Sequence, residues 1–132
     1  KDISQYALVS NYAYKTMKRL LPGPYTFILE GSKLVPKIML TKRKTAGIRV
    51  PDNAICLALV RELGHPIITT SATTPDGGNF SDASLIHDYF GKPVDVVIDG
   101  SAVSGQPSSV ISLINDSTEV IRRRSGDVSI FE

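Results

Sequence analysis

Residues 10–29 read SNYAYKTMKRLLPGPYTFIL, and this stretch predicts how the fold is built. Ser10 can cap a helix over residues 12–21, because a serine side chain accepts a hydrogen bond from a backbone N–H of the first turn. Pro22-Gly23-Pro24 ends that helix, since proline cannot continue a helix and glycine permits the turn. Residues 25–29 are apolar, aromatic and β-branched, which is typical of a strand. The stretch therefore predicts a capped helix followed at once by a strand.

The rest of the chain continues this alternation of helix and strand signals. Further helices are predicted at residues 53–63, after a cap at Asp52, and from a cap at Ser81 or Asp82 to Phe90; further strands are predicted at 45–50, 66–70, 94–98, 109–114 and 120–123. Glycine follows each of the two later helices, where a glycine commonly ends a helix. The alternation predicts an α/β or α+β fold, and the short links between the last strands predict that part of the sheet is antiparallel.

Length and composition limit the class of protein. The 132 residues suit one domain and no more, and 42% of them are hydrophobic, which is enough for a core. Fifteen basic and 13 acidic residues leave a net charge of +2, unlike the strongly basic composition of a dedicated nucleic-acid-binding domain. Cys56 is the only cysteine, so neither an internal disulfide nor a cysteine-rich zinc site is possible. No apolar run is long enough for a bilayer-spanning helix, and we expect a cytoplasmic protein without membrane contact.

Common catalytic motifs are missing from the sequence. Gly100 and Gly105 have the spacing of a Walker A motif, but Gln106-Pro107 stands where a lysine and a hydroxyl residue would hold phosphate and metal. His65 and His87 are isolated in sequence and lack the convergent partners that a catalytic triad or a metal site needs. We therefore predict no catalytic side chain and no metal ligand in this chain.

Two polar clusters lie at the ends of predicted strands, where open α/β sheets bind ligands. The first, residues 45–51, contains Arg49, whose guanidinium could bind a carboxylate or phosphate through two parallel hydrogen bonds. The alternative is a solvated surface arginine. The second, residues 68–73, places three hydroxyls in a row, which could cradle phosphate oxygens or satisfy the backbone of their own turn.

A third cluster combines residues 105–110 with residues 122–126. Ser108 opens one predicted strand and Arg124 closes the next. The alternative is a loop beside a basic surface strand, and residues 42–44 are interpreted as a solvated basic loop. A site of hydroxyls, arginines and glycine turns suits the binding of an anionic ligand, and adenylate transfer depends mainly on such positioning and charge neutralisation.

Five short motifs, in the same order and at similar spacing, resemble those of the YrdC-like family, whose members make threonylcarbamoyl-adenylate for tRNA modification. They are residues 21–26 (PGP-x-T), 48–51 (RxP), 70–73 (TSAN), 108–111 (STV) and 124–126 (RxG). Thr73 stands where the family usually has asparagine, so one side-chain amide contact is lost or replaced. The resemblance covers the C-terminal two-thirds of the family's domain. We therefore expect residues 1–132 to be one YrdC-like domain without its N-terminal segment, and to be weakly active or inactive alone.

The resemblance implies a twisted mixed β-sheet with flanking helices around a positively charged cavity. It implies an L-threonylcarbamoyladenylate synthase, a nucleotidyltransferase that joins L-threonine, bicarbonate and ATP, with Mg²⁺, into threonylcarbamoyl-AMP and pyrophosphate. Partner proteins would then transfer the group to an adenosine of tRNA. Carried over by motif, the threonine-binding residues are Arg49, Thr69 and Ser108, and the ATP-binding residues are Thr45, Ser71 and Arg124.

Two other functions remain open. A YrdC-like module also occurs in the hydrogenase-maturation carbamoyltransferase, where it handles carbamoyl-adenylate, but no acylphosphatase-like or zinc-finger segment is visible in this sequence. The other alternative is a non-catalytic RNA-binding module that uses residues 42–44 and 122–124, with an affinity that falls steeply with salt. The near-balanced charge, and the lack of aromatic residues among the basic runs, argue against it.

Overall fold

The computed structural model describes residues 3–37, 42–80, 82–101 and 106–132. Their contacts group them into two compact units. Unit 1 comprises the described residues of Lys1–Asn53 and Ser108–Glu132, and unit 2 those of Ala54–Pro107.

Unit 1 begins with a 3-10 turn at Ile3–Gln5 and the helix α1, Asn11–Leu20. Ser10 caps α1, because its Oγ accepts a hydrogen bond from the backbone N–H of Ala13 at 3.1 Å. Proline and glycine follow the helix, and the Leu21–Pro22 peptide is cis. The predicted capped helix is confirmed, with both ends one residue earlier than expected.

Four strands form one mixed sheet in unit 1. They are β1 (Tyr25–Glu30), β2 (Thr45–Arg49), β3 (Ser109–Ser112) and β4 (Glu119–Arg122), in the spatial order β2-β1-β3-β4. β1 runs parallel to β3, and the two outer pairs are antiparallel. The predicted mixed sheet with an antiparallel part is confirmed. The strand predicted at residues 109–114 is shorter, because a 3-10 turn at Ile114–Asp116 follows it.

One face of this sheet carries the core of unit 1. Burial alternates along β1, so that Tyr25, Phe27 and Leu29 are buried, as period-2 side-chain alternation requires. Phe27 is 0% exposed, and the ring of Phe131 lies 6.2 Å from its own. The buried apolar cluster consists of Ala7, Ala13, Met17, Tyr25, Phe27, Leu29, Ile111 and Leu113. Helix α1 thus packs on one face of the sheet and leaves the second face for other contacts.

Unit 2 contains the helices α2, Ala54–Leu63, and α3, Ala83–Phe90. Gly64 follows α2 with a φ of 78°, a left-handed conformation that favours glycine, and its N–H donates to the Val60 carbonyl at 3.0 Å. Asp82 caps α3, because its Oδ1 accepts a hydrogen bond from the Ser84 N–H at 2.8 Å. Both helices were predicted from sequence, and both are confirmed.

Two predicted strands are wrong. Residues 66–70 and 94–98 form no strand among the residues that the structure describes. Both runs are rich in β-branched residues, which fit a pleated surface but do not create one without a neighbouring strand. The architecture is therefore α+β, with a four-stranded mixed sheet and three α-helices in the described residues. Each of these helices is too short or too polar to cross a bilayer.

Candidate functional site

The second face of the sheet, opposite the core, carries polar side chains at one end. Thr26 points to this face, because it alternates with the buried Tyr25 and Phe27 along β1. Residues paired across strands share a face, and Thr26 pairs with Arg49 on β2. The register therefore places the predicted threonine-binding arginine beside a threonine hydroxyl.

Ser108 joins this end of the sheet through its side chain. Its Oγ shares a hydrogen bond of 2.6 Å with Oγ1 of Thr26, and the residue is only 6% exposed. Arg122 holds it there: Nε and Nη2 donate to the Ser108 carbonyl at 3.0 and 2.7 Å, and Nη2 lies 3.4 Å from Oγ. The guanidinium thus fixes both the backbone and the hydroxyl of Ser108.

Arg49 is the last residue of β2 and is exposed to solvent. Within the described residues, no carboxylate or carbonyl pairs with its guanidinium. A guanidinium that no neighbour neutralises can bind a carboxylate or phosphate through two parallel hydrogen bonds. We call Thr26, Arg49, Ser108 and Arg122 the arginine–hydroxyl cluster.

The cluster combines both kinds of strand end. Arg49 does lie at the carboxyl end of β2, but Thr26 and Ser108 lie at the amino ends of β1 and β3. The antiparallel pairing of β2 with β1 brings these opposite ends together. Strand direction, which local sequence does not reveal, therefore decides which residues meet.

Thr45, a predicted ATP-binding residue, lies away from the cluster. It is the first residue of β2, is 7% exposed and pairs with Glu30 on β1. Four residues of strand separate it from Arg49, or about 13 Å at the usual rise. Any single ligand that contacts both residues must extend along the strand.

Arg124, the other arginine predicted to bind ATP, makes local contacts. Its Nη1 donates to the carbonyl of the preceding Arg123 at 2.7 Å, and its backbone N–H donates to Ser109 Oγ at 2.8 Å. Arg123 forms an exposed salt bridge with Glu132. Of the three consecutive arginines, Arg122 is thus the one whose side chain contacts Ser108. The ATP-binding role of Arg124 stays a prediction.

A glycine two residues after Arg124 holds this segment against β1. Gly126 has a φ of 88°, and a Cβ there would lie 2.8 Å from Cε1 of Tyr25. The Tyr25 hydroxyl donates to the Asp127 carbonyl at 2.9 Å. Any larger residue at 126 would displace the chain from the tyrosine ring, so the closing glycine of the RxG motif has a packing reason.

Thr69 and Ser71 belong to unit 2, where both are exposed. Their hydroxyls have no hydrogen-bond partner within the described ranges. The next hydroxyl loop, by contrast, satisfies itself: Thr74 and the Gly78 N–H both donate to Asp76, and these two hydrogen bonds, that from the Thr74 hydroxyl first, lower the pKa of the Asp76 carboxyl. The Thr69 and Ser71 hydroxyls are therefore available to bind a ligand. The polar groups of the following loop instead form hydrogen bonds within their own turn.

No metal centre is visible in residues 3–37, 42–80, 82–101 and 106–132, where no group of three or more His, Cys, Asp or Glu side chains could hold an ion. His65 is exposed, and its Nδ1 lies 2.8 Å from the neighbouring Pro66 carbonyl. His87 lies exposed on α3.

Thr26 and Arg122 were not among the predicted site residues, although both carry a usable sequence signal. Thr26 stands between two large aromatic residues of a strand, which places it on the opposite face from them. Arg122 belongs to a run of three arginines, and successive residues of a strand point to opposite faces of the sheet. Identifying which of the three arginines contacts Ser108 required the register of β4 against β3.

Comparison with known proteins identifies the family. The Sua5/YciO/YrdC family model, described as "Telomere recombination", matches residues 1–124. YciO of Escherichia coli K12, named as an uncharacterized protein, is 44% identical over 98% of this chain. A putative threonylcarbamoyl-AMP synthase of Methanocaldococcus jannaschii is 34% identical, again over 98% of the chain. The chain spans 64% of the length of YciO and 59% of the length of the archaeal protein.

Solved structures agree with the sequence comparison. The crystal structure of E. coli YciO superposes with a TM-score of 0.91 at 42% identity, and the match covers all of this chain and 66% of YciO. The crystal structure of Pyrococcus abyssi Sua5 complexed with L-threonine gives a TM-score of 0.75 at 29% identity, over 84% of this chain and 33% of Sua5. The chain therefore belongs to the Sua5/YciO/YrdC family and has its fold.

Proposed function

We propose that the protein containing this chain is an L-threonylcarbamoyladenylate synthase, which forms threonylcarbamoyl-AMP and pyrophosphate from L-threonine, bicarbonate and ATP. The observation that carries the proposal is the guanidinium of Arg49, which pairs with no carboxylate or carbonyl of the described residues, on the strand position next to the Thr26–Ser108 hydroxyl pair. Family relatives named threonylcarbamoyl-AMP synthase, at 33–35% identity, support it. We further propose a cytoplasmic location, where partner proteins transfer the product's threonylcarbamoyl group to tRNA.

The arginine–hydroxyl cluster suits an α-amino acid with a hydroxyl side chain. Arg49 binds the carboxylate through two parallel hydrogen bonds, and the Thr26 and Ser108 hydroxyls, which can each donate and accept, meet the polar groups of the amino acid. Because Arg122 holds Ser108 in place, little ordering of this hydroxyl is needed on binding. That P. abyssi Sua5 has a structure complexed with L-threonine supports threonine as the amino acid.

The reaction requires positioning and charge neutralisation more than a protein nucleophile. The threonine amine attacks bicarbonate and, with loss of water, forms a carbamate. A carbamate oxygen then attacks the α-phosphorus of ATP, and the bond from that phosphorus to the pyrophosphate oxygen breaks. Mg²⁺ enters this proposal as the counterion that ATP brings with it.

Arg122 is suited to neutralise the negative charge that develops beside the amino acid, because it contacts Ser108. Its Nε and Nη2 contact Ser108, and a guanidinium has five N–H groups, so its Nη1 can still donate. The proposed ATP contacts of Thr45, Ser71 and Arg124, and the threonine contact of Thr69, rest on their motifs.

Pyrophosphate release by the full-length gene product tests this function. We expect release only when ATP, L-threonine and bicarbonate are all present. Arg49→Ala should lower kcat/KM for threonine by about 10- to 150-fold, which corresponds to the roughly 1.5–3 kcal/mol of a charged hydrogen-bonded contact. Arg19→Ala is the matched control, since Arg19 is an exposed arginine on α1, which packs against the other face of the sheet.

Two results would contradict the proposal. One is pyrophosphate release that does not depend on threonine or bicarbonate. The other is a threonine-dependent reaction that Arg49→Ala and Arg19→Ala affect equally, because the carboxylate would then bind elsewhere.

A further inference from the structure

Unit 1 contains a cavity of about 350 Å³ at the end of the sheet away from the arginine–hydroxyl cluster. Part of its wall belongs to the core: Leu29, near the end of β1, and Leu113, just after β3, are 1% and 2% exposed. Leu29 points to the core face of β1, whereas Thr26 of the cluster points to the second face. The cavity is therefore separate from the proposed threonine site.

The cavity also has polar walls, and these carry negative but no positive charge. Among the described residues, Ser10, Glu30, Asn115 and Asp116 line it together with apolar side chains, and no lysine, arginine or histidine does. Neither carboxylate forms a salt bridge in the parts of the chain that the structure describes. Glu30 also lines a neighbouring cavity with Arg43, but these two side chains are not paired.

This negative lining contrasts with the charge of the unit around it. Lys1–Asn53 and Ser108–Glu132 hold 13 basic and 7 acidic residues, so the sequence of unit 1 has a net charge of +6. Two of those acidic residues nevertheless line one cavity that no basic residue lines. The local field therefore favours a cation there, although the unit as a whole attracts anions.

Hydrogen bonds hold the polar walls in place. The Leu8 N–H donates to the Glu30 carbonyl at 2.9 Å, which fixes the segment before α1 beside the end of β1. The Ser10 hydroxyl accepts from the Ala13 N–H and donates to Oδ1 of Asp116. Oδ2 of Asp116 has no hydrogen-bond partner among the described residues and can accept from a ligand. Little ordering of these groups is needed on binding.

We propose that this cavity binds an organic cation with an apolar body, of the chemical class of primary alkylamines. The alkyl chain packs against Leu29 and Leu113, and the carboxylates of Glu30 and Asp116 neutralise the ammonium group. Both parts are required. Exposed carboxylates alone hold a cation only weakly, and an apolar wall alone does not distinguish an amine from an alcohol.

Titration of the full-length gene product with n-hexylamine, followed by NMR of the leucine methyl groups, tests this proposal without any measurement of turnover. We expect saturable shifts of the methyl signals of Leu29 and Leu113. The alcohol n-hexanol has a chain of the same length without the charge, and should bind about 2- to 30-fold more weakly, as the loss of two exposed ion pairs predicts. Added sodium chloride should weaken binding of the amine but not of the alcohol.

Matched variants locate the ammonium group. Glu30→Gln and Asp116→Asn should each weaken hexylamine binding by about 1.5- to 5-fold and leave hexanol binding unchanged. Asp52→Asn is the control, since Asp52 is an exposed residue of unit 1 that follows Arg49 at the other end of β2. All three carboxyl groups belong to exposed residues and the amides have nearly the same shape, so circular dichroism should show all variants folded.

Three results would overturn the proposal. The first is the absence of saturable shifts, or shifts confined to methyl groups other than those of Leu29 and Leu113. The second is hexanol binding as tight as that of hexylamine, because the carboxylates would then have no part in recognition. The third is an equal loss of hexylamine affinity in Asp52→Asn and in the two cavity variants, which would indicate a general charge effect.

Discussion

Unit 1 and unit 2 both contain a helix with an apolar side, but the extent to which that side is buried differs. In unit 1, Ala13 and Met17 of α1 meet Phe27 and Ile111 of the sheet, and all four are at most 3% exposed. In unit 2, Ile55, Leu59 and Leu63 of α2 are 38%, 41% and 52% exposed. An amphipathic pattern therefore creates a face that can be buried, but burial depends on an element opposite it.

Core truncation should show the largest difference between the units. Phe27→Ala removes a fully buried ring that lies 5.9 Å from that of Tyr25, and should lower the free energy of unfolding by about 3–5 kcal/mol. Leu59→Ala on α2, where the leucine is 41% exposed, should cost less than about 1 kcal/mol. Urea unfolding followed by circular dichroism measures both. Equal losses would show that unit 2 has a core as tightly packed as that of unit 1.

The next largest expected effect is a difference in stability between the alanine variants of Arg122 and Arg124. Arg122→Ala leaves the Ser108 carbonyl without its two charged donors, and should destabilise unit 1 by about 1.5–3 kcal/mol. Arg124→Ala removes an exposed contact to the adjacent carbonyl and should change stability by less than about 0.5 kcal/mol. Thermal unfolding of the two variants makes the comparison. A larger loss for Arg124→Ala would mean that Arg124, not Arg122, holds β3.

Loss of a helix cap should have a smaller effect, confined to one unit. Ser10→Ala removes the acceptor for the Ala13 N–H, and should lower the stability of unit 1 by about 1 kcal/mol. Asp82→Ala removes the corresponding cap of α3 and should loosen only the start of that helix. Amide hydrogen exchange across α1 and α3 reports each effect separately. Faster exchange in α1 caused by Asp82→Ala would contradict an effect confined to the start of α3.

The smallest effect is a pH dependence at the α3 cap. Hydrogen bonds from the Ser84 hydroxyl and then the Ser84 N–H lower the pKa of the exposed Asp82 carboxyl below its ordinary value of 3.8. A lowered pKa means that the cap stabilises the helix above pH 3.8 and is lost as pH falls below that value through the folded-state pKa. NMR titration of Asp82 measures this, and Ser84→Ala should move its midpoint up. A midpoint at or above 3.8 in the unmodified chain would refute the cap's effect.

Much of the fold could be predicted because its signals are local. The Ser10 cap, the Pro-Gly-Pro end of α1 and Gly64 after α2 each act within a few residues of themselves. Residues 66–70 and 94–98 have the composition of strands as well, but pairing is a contact between distant segments. That is why the two strands were predicted and are absent from the described structure.

Some residues of the candidate site could likewise be predicted from local motifs, whereas others depend on strand pairing. Arg49 and Ser108 were predicted from their motifs, and the sheet places both next to Thr26. Of the three consecutive arginines, the RxG motif selected Arg124 and not Arg122. The β3–β4 register pairs Arg122 with Val110, on the face of Ser108.

By itself, the sequence determined the helices of this protein, the strands of its sheet and, through five ordered motifs, its family. Only the tertiary structure decided which predicted strands pair, and which arginine holds Ser108. The physical reason is range: caps and turns are satisfied by neighbouring residues, whereas register and strand direction depend on segments far apart in the chain.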